Sequence, residues 1–201
     1  MRSSLIFRKM CPAVPIVLFV LAGLAGIASV AQAPKPPATV YLIRHAEKLP
    51  GKEADLSPQG FKRAGYLPLL FNPPAKSGRV ALARPDFLFA AQKSRDSNRP
   101  IETILPLSQA LHLPINHEYQ NEYFPELAKL LLSGQYAGKV VLVCWHHGVI
   151  PHFARELGAT PPYNKWPEDQ YDRIWRIDWP AGGGPPTLTD MPQYLMAGDS
   201  K

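Results

Sequence analysis

The chain has 201 residues, of which 46% are hydrophobic and 19% are charged, and its formal net charge is +6. These values fit one folded domain with a core of its own and exclude a disordered chain. Arg2, Arg8 and Lys9 precede the first acidic residue, and the sequence beyond residue 33 carries 19 basic and 16 acidic residues, a net of +3. A positive charge this small and this scattered gives no support to a nucleic-acid partner.

Residues 1–33 have the pattern of a targeting segment. A basic start precedes a long apolar run, and the run ends in the small residues of "AQA". We expect a signal peptide cleaved after Ala31, or alternatively an uncleaved N-terminal membrane anchor. Residues 34–38 are predicted to be a proline-rich linker, and residues 39–201 the functional domain. That domain is expected to work outside the cytoplasm, either free or tethered to a membrane.

Strand and helix patterns alternate along the domain. In chain order, the patterns predict strand 39–43, helix 56–71, strand 85–91, helix 99–113, an edge strand within 114–119, helix 124–134, strand 139–145, helix 148–158 and strand 171–179. Ser57 is the predicted N-cap of the first helix, with Pro58 at its first position. The alternation favours an α/β fold, a three-layer sandwich with a mostly parallel central sheet flanked by helices.

Cys144 is the only cysteine beyond residue 33. A single cysteine cannot form an internal disulfide. Its neighbours in "VVLVCW" are typical of a buried strand, so we interpret it as a core residue rather than a reactive thiol.

Cationic and imidazole side chains follow the predicted strands. Arg44 and His45 end the first strand, His146 and His147 follow the strand 139–145, and Arg99 begins a helix after the second strand. The carboxyl ends of parallel strands meet at one edge of a sheet, where ligands bind in α/β proteins. Arginine presents a donor fork that matches phosphate oxygens, and histidine can attack phosphorus or donate to a phosphate. Together these residues predict a site for a phosphoryl group.

Four motifs, in this order, resemble the histidine phosphatase superfamily, which has the phosphoglycerate mutase-like fold. The motifs are "LIRHAEK", "LSPQG", "SNRPIET" and "VLVCWHHGVIP", and the resemblance covers residues 39–178. It implies that His45 is the phosphorylated nucleophile and that Arg44, Arg99 and His146 bind the phosphoryl oxygens. We therefore expect a phosphohydrolase without a cofactor, and one that needs no metal because the arginines and histidine supply the positive charge. The expected substrate is a phosphorylated small molecule, and a phosphorylated protein is the alternative.

The general acid is the part of the resemblance that the sequence leaves open. One branch of the family uses an Asp directly after the second histidine, and His147 stands there instead. The other branch uses a Glu after the second-arginine helix, which leaves Glu118, Glu122 and Glu126. Glu122 lies nearest the expected distance and is our candidate. His147 is either an additional phosphate contact or a residue that fills space.

The remaining charged and histidine residues have simpler interpretations than a phosphate site. Glu47 and Lys48 are expected to continue the turn into solvent, and the remaining histidines are expected to be structural or on the surface: His112, His117 and His152. A metal site formed by His45, His146 and His147 ranks below phosphate, because the two arginines would repel a cation. The alternative function is a phosphate- or phosphosugar-binding module with little or no catalysis.

Overall fold

The computed structural model of the chain describes residues 35–51 and 53–200. The predictions for residues 1–33 lie outside this range. The strands are β1 Thr39–Arg44, β2 Phe87–Ala90, β3 Ile115–Asn116, β4 Val140–Trp145, β5 Arg173–Asp178 and β6 Thr187–Pro192. The α-helices are α1 Pro58–Tyr66, α2 Arg99–Leu111, α3 Phe124–Leu132 and α4 Ile150–Glu156. Across the described residues, no helix has both the length and the apolar character needed to cross a membrane.

The six described strands form one sheet in the order β3-β2-β4-β1-β5-β6. β1, β2, β3 and β4 run parallel to one another, whereas β5 is antiparallel to both of its neighbours, β1 and β6. The prediction of a mostly parallel sheet is therefore confirmed. The predicted edge strand within 114–119 is also confirmed, since β3 is the last strand on its side.

Successive side chains of the central strands point to opposite faces of the sheet, and both faces are apolar. In β1, Val40 and Leu42 pack in one core cluster, while Tyr41 and Ile43 pack in a second. Side chains from α3 and α4 complete the first cluster, and side chains from α2 and from the 3₁₀ turn Leu67–Leu70 complete the second. A central sheet covered on both faces is the predicted three-layer sandwich. Cys144 belongs to the second cluster and is fully buried, as its strand position predicts.

The first helix, α1, begins where its predicted N-cap residue places it but ends before the predicted residue 71. The Ser57 side chain accepts a hydrogen bond from the Gly60 amide at 3.1 Å, and Pro58 is the first helical residue, as predicted. The helix was expected to reach residue 71, but it ends at Tyr66 and continues as the 3₁₀ turn. Pro68 explains the difference, because proline has no N–H for the α-helical hydrogen bond.

Candidate active site

The ends of β1 and β4 bring two predicted site residues together. The strands pair in register with Arg44 opposite Trp145, and the His45 amide donates to the Trp145 carbonyl at 3.0 Å. His45 and His146, each the next residue along, therefore lie side by side. Their ring centroids are 5.3 Å apart, at an angle of 68°.

The contacts of His45 determine which of its nitrogens is free. Nδ1 lies 2.7 Å from the Ala46 carbonyl oxygen, and a carbonyl can only accept a hydrogen bond. Nδ1 therefore carries the proton, and Nε2 has the free lone pair. The turn that holds this carbonyl is fixed by Thr103, whose hydroxyl accepts from the Ala46 amide at 2.8 Å and donates to the Arg99 carbonyl at 2.7 Å.

The imidazoles of the site are held in the neutral form. Burial lowers the pKa of His45 well below its usual range, and the nearby charges of His146, Arg44 and Arg99 lower it further, against the opposing effect of the Ala46 carbonyl. The pKa of His146 is lowered to about 4 by burial, followed by the charges of Arg99, His147 and Arg44. Neutral imidazole is the form of histidine that can act as a nucleophile.

Arg44 is buried and contacts both a loop main chain and an aromatic ring. Its Nη1 donates to the carbonyls of Pro167, Glu168 and Gln170 at 3.0, 2.7 and 3.0 Å. Its guanidinium carbon lies 3.8 Å from the centroid of the Tyr171 ring, a cation–π distance. Its Nε is buried and has no hydrogen-bond partner within the described part of the chain. Buried polar atoms without a partner are rare in folded proteins, so this donor needs an explanation.

Arg99 is the first residue of α2, as the sequence predicts. Its Nη1 donates to the Glu53 carbonyl at 2.5 Å, and its Nε, like that of Arg44, is buried without a partner in residues 35–51 and 53–200. Burial lowers the pKa of Arg99, but arginine remains charged at any relevant pH. Two buried, unpartnered guanidinium donors near neutral imidazoles are a suitable environment for an anion.

His147 lies on the Arg44 side of the site. Its pKa is lowered to about 4, first by burial and then by the charge of Arg44, while Glu168 opposes this and Lys48 and Lys165 add to it. The residue is only partly buried. Its role as a phosphate contact stays a prediction.

The three candidate acids are on the surface and occupy different places. Glu122 lies in the 3₁₀ turn Asn121–Tyr123, which is held beside the end of β4 because the Trp145 indole donates to the Asn121 carbonyl at 3.1 Å. Glu118 lines a cavity along β2 and β3, and Glu126 lines another between α3 and α4. Of the three, only Glu122 is placed beside the end of a strand that a site residue, His146, follows, and its role as acid stays a prediction.

The prediction that Glu47 extends into solvent is wrong. Glu47 is only 9% exposed, and both of its carboxylate oxygens accept from Nε of Arg63, at 3.0 and 3.1 Å. Arg63 lies on the buried face of α1 together with Gly60 and Ala64, and this face brings its guanidinium to Glu47. Lys48 is exposed, as predicted, and so are His112, His117 and His152.

Tyr171 is a site residue that sequence reasoning missed. Its ring centroid lies 6.1 Å from that of His45, in addition to its contact with Arg44. The direction of β5 explains the position of Tyr171. β5 is antiparallel to β1, so it begins at the edge of the sheet where β1 ends, and the residues just before Arg173 reach the same edge as His45. No group of three or more His, Cys, Asp or Glu residues arranged to hold a metal ion occurs in the described ranges.

Comparisons with known proteins give only distant similarities. No protein-family model and no curated protein matches the chain. Among solved structures, the protein histidine phosphatase SixA complexed with tungstate is 16% identical, with a TM-score of 0.48 over 77% of this chain and 97% of SixA. The alpha-ribazole phosphatase of Shigella flexneri is also 16% identical, with a TM-score of 0.47 over 77% of this chain and 96% of the phosphatase. At this level of similarity, neither structure assigns an activity or a substrate to this chain.

Proposed function

We propose that the chain is a metal-independent phosphohydrolase of the histidine phosphatase superfamily, which acts through a phosphohistidine intermediate on a phosphomonoester outside the cytoplasm. The observation that carries this proposal is the arrangement around His45. A buried neutral imidazole with Nε2 free lies beside His146, and Arg44 and Arg99 each keep a buried donor without a partner among the described residues. This combination of a nucleophile and unpaired cationic donors matches what a phosphoryl group requires.

In the first step, Nε2 of His45 attacks the phosphorus, a P–N bond forms, and the bond to the leaving-group oxygen breaks. Arg44, Arg99 and His146 bind the non-bridging oxygens and stabilise their charge in the transition state, which is the main requirement of phosphoryl transfer. The leaving oxygen takes a proton from a carboxylic acid, for which Glu122 is our candidate.

In the second step, water attacks the phosphorus of phosphohistidine and the P–N bond breaks. The carboxylate formed in the first step accepts a proton from the water, so that inorganic phosphate leaves and both His45 and the acid return to their starting forms. His45 begins the cycle neutral because its pKa is depressed, first by burial and then by neighbouring positive charge. A bound dianion favours the protonated form of His146, which can then donate to a phosphoryl oxygen.

The arginines and His146 supply the positive charge that the reaction needs, so the proposal includes no metal ion and no cofactor. The substrate is proposed to be a phosphorylated small molecule, with a phosphorylated protein as the alternative. The location outside the cytoplasm rests on the pattern of residues 1–33.

The test is the turnover of a generic aryl phosphate by the full chain and two histidine variants. We expect His45→Ala to abolish turnover while the thermal unfolding midpoint stays within a few degrees of wild type. His152→Ala is the matched control, because His152 is an exposed histidine on α4. Unchanged activity of His45→Ala would sink the assignment of the nucleophile.

A second candidate function is a phosphate-binding module of the same fold with little or no catalysis. The observation that favours it is the exposed position of Glu122, since within residues 35–51 and 53–200 no carboxylate forms a hydrogen bond with His45. Incubation with a radiolabelled substrate distinguishes the two functions. An acid-labile label on the chain supports the phosphohydrolase, whereas tight phosphate binding without any label supports the binding module.

A further inference from the structure

Arg63 is a buried cation outside the proposed phosphate site. It lies on the inner face of α1 and is only 5% exposed. An isolated buried charge is costly, so its partners indicate what it does. It has two carboxylate partners that are far apart in sequence: Glu47 near the start of the domain and Asp199 near its end.

On one side, Arg63 holds the turn that carries His45. Its Nη2 lies 2.8 Å from Oε1 of Glu47, and Glu47 is two residues beyond His45. The main chain of Glu47 is fixed as well, since its carbonyl accepts from the Ser57 amide at 2.9 Å. The same carbonyl lies so close to α1 that a Cβ added to Gly60 would be 2.2 Å from its oxygen.

On the other side, Arg63 holds the C-terminal segment 193–200. Its Nη1 and Nη2 donate to the two carboxylate oxygens of Asp199 at 3.0 and 2.8 Å, and Nη1 also donates to Oε1 of Gln193 at 3.3 Å. Asp199 in turn accepts from the amides of Leu195 and Met196 at 2.8 and 3.1 Å. The paired carboxylate of Asp199 therefore fixes the conformation of the segment as well as its position.

The C-terminal segment 193–200 also reaches Tyr171. The side-chain amide of Gln193 donates to the Tyr171 carbonyl at 3.3 Å. Tyr171 stacks on Arg44, and its ring lies 6.1 Å from that of His45, centroid to centroid. Arg63 is therefore connected to the proposed phosphate site both through Glu47 and through Gln193 and Tyr171.

A cavity of about 830 Å³ lies among these groups. Its walls come from the turn after His45, from α1, from the loop bound by Arg44 and from the end of the chain. Lining residues include Glu47, Arg63, Tyr171, Ala197, Gly198 and Asp199. This volume is in the range of small-molecule sites and is far larger than a phosphate ion requires.

We propose that Arg63 is a positioning residue that joins Glu47 to Asp199 and thereby makes the C-terminal segment 193–200 a wall of the leaving-group site. The inference rests on the proposed phosphohydrolase activity and adds the place where the organic part of the substrate binds. In the described part of the chain, the hydrogen bonds of Arg63 go to Glu47, Gln193 and Asp199 rather than to His45. It acts by fixing the wall and the turn, and the fork of its guanidinium lets one side chain bind two carboxylates.

The test is Asp199→Asn in the full chain, with p-nitrophenyl phosphate as substrate and orthophosphate as competitive inhibitor. The variant keeps the shape of the side chain and removes the charge that Arg63 binds. We expect KM for the aryl phosphate to rise about tenfold, because the wall is misplaced. The inhibition constant of orthophosphate should change less than about twofold, because a bare phosphate does not use the wall.

The matched control is Asp178→Asn. Asp178 also pairs with an arginine, Arg176, at 2.7 Å, and it accepts from Thr39 at the opposite end of β1 from His45. Its replacement is expected to leave both constants unchanged. Arg63→Lys is the second test variant, because lysine keeps the charge but lacks the fork, and we expect it to raise KM in the same way.

A wild-type KM in both test variants would overturn the inference, and so would a lower Tm with a lower kcat and no change in KM. A wild-type chain without turnover would instead overturn the proposed activity. In that case the same variants are compared by calorimetry for binding of phenyl phosphate and orthophosphate. A selective loss of phenyl phosphate affinity supports the wall, and an equal effect on both ligands refutes it.

Discussion

Replacement of Thr103 by Val provides a direct test of how His45, the proposed nucleophile, is positioned. Thr103 is 2% exposed, and its hydroxyl is the hydrogen-bond acceptor for the Ala46 amide. Val has nearly the same shape but no hydroxyl, so the buried Ala46 N–H loses its partner. The Ala46 carbonyl, which fixes the protonated nitrogen of His45, belongs to the same turn.

The magnitude follows from the cost of an unsatisfied buried donor, about 1–3 kcal/mol of unfolding free energy. For a domain of this size, that cost corresponds to a fall in Tm of roughly 3–10 °C. Without this hydrogen bond the turn is no longer fixed, so His45 moves with it and kcat falls roughly tenfold to a hundredfold. The two effects should appear together.

The assay combines chemical denaturation with turnover of an aryl phosphate, and Thr103→Ser is the control. Ser retains the hydroxyl and removes one buried methyl group, at about 0.8 kcal/mol, so it should keep most of kcat. If Thr103→Val were as stable and as active as Thr103→Ser, the hydroxyl would have no role in holding the turn.

Three further predictions concern α1, the titration of the site and the acid. Gly60→Ala should destabilise the chain, because the added Cβ would lie 2.2 Å from the Glu47 carbonyl oxygen. Gly65→Ala on the same helix is the control, because its Cβ meets open space, and it should stabilise the chain by about 0.5–1 kcal/mol. Equal effects of the two substitutions on chemical denaturation would contradict the close approach of Glu47 to Gly60. Since the pKa of His146 is lowered to about 4 from about 6.5 in the unfolded chain, its contribution to stability is complete above pH 6.5 and is lost as pH falls towards 4. Between pH 7 and pH 5, the unfolding free energy measured by denaturation should therefore fall by an amount on the order of 1–2 kcal/mol that is absent in His146→Gln. If His146→Gln kept the pH dependence of the wild type, the lowered pKa of His146 would be refuted. Glu122→Gln should slow the hydrolysis of an alkyl phosphate, which has a poor leaving group, by about 10²–10⁴-fold, and that of p-nitrophenyl phosphate much less. Glu126→Gln is the control and should affect neither reaction. Equal behaviour of the two variants would remove Glu122 as the acid.

The sequence was sufficient for the parts of the site that depend on strand ends. Arg44, His45 and His146 were predictable because each follows a strong strand pattern, and neighbouring parallel strands end at the same edge of a sheet. Arg99 was predictable because it begins a helix at its own start signal.

Contacts between distant segments were not predictable from the sequence. Arg44 binds carbonyls more than 120 positions away, and Arg63 binds Asp199 at the other end of the domain. No periodic pattern connects such positions, so the loop before β5 and the C-terminal segment were missed as parts of the site. The error at Glu47 has the same origin. A charged residue after a strand is buried only when another element supplies a partner, and here α1 supplies Arg63.

The way Arg44 binds the loop before β5 has a consequence for how this fold can change its specificity. Arg44 contacts Pro167, Glu168 and Gln170 through their main-chain carbonyls, and every residue type has such a carbonyl. Substitutions at Glu168 and the neighbouring Asp169 therefore alter the cavity lining without removing the anchor of the loop. Under the proposed function, exchange of these side chains is a route to variants that accept different leaving groups while His45 and the two arginines stay in place.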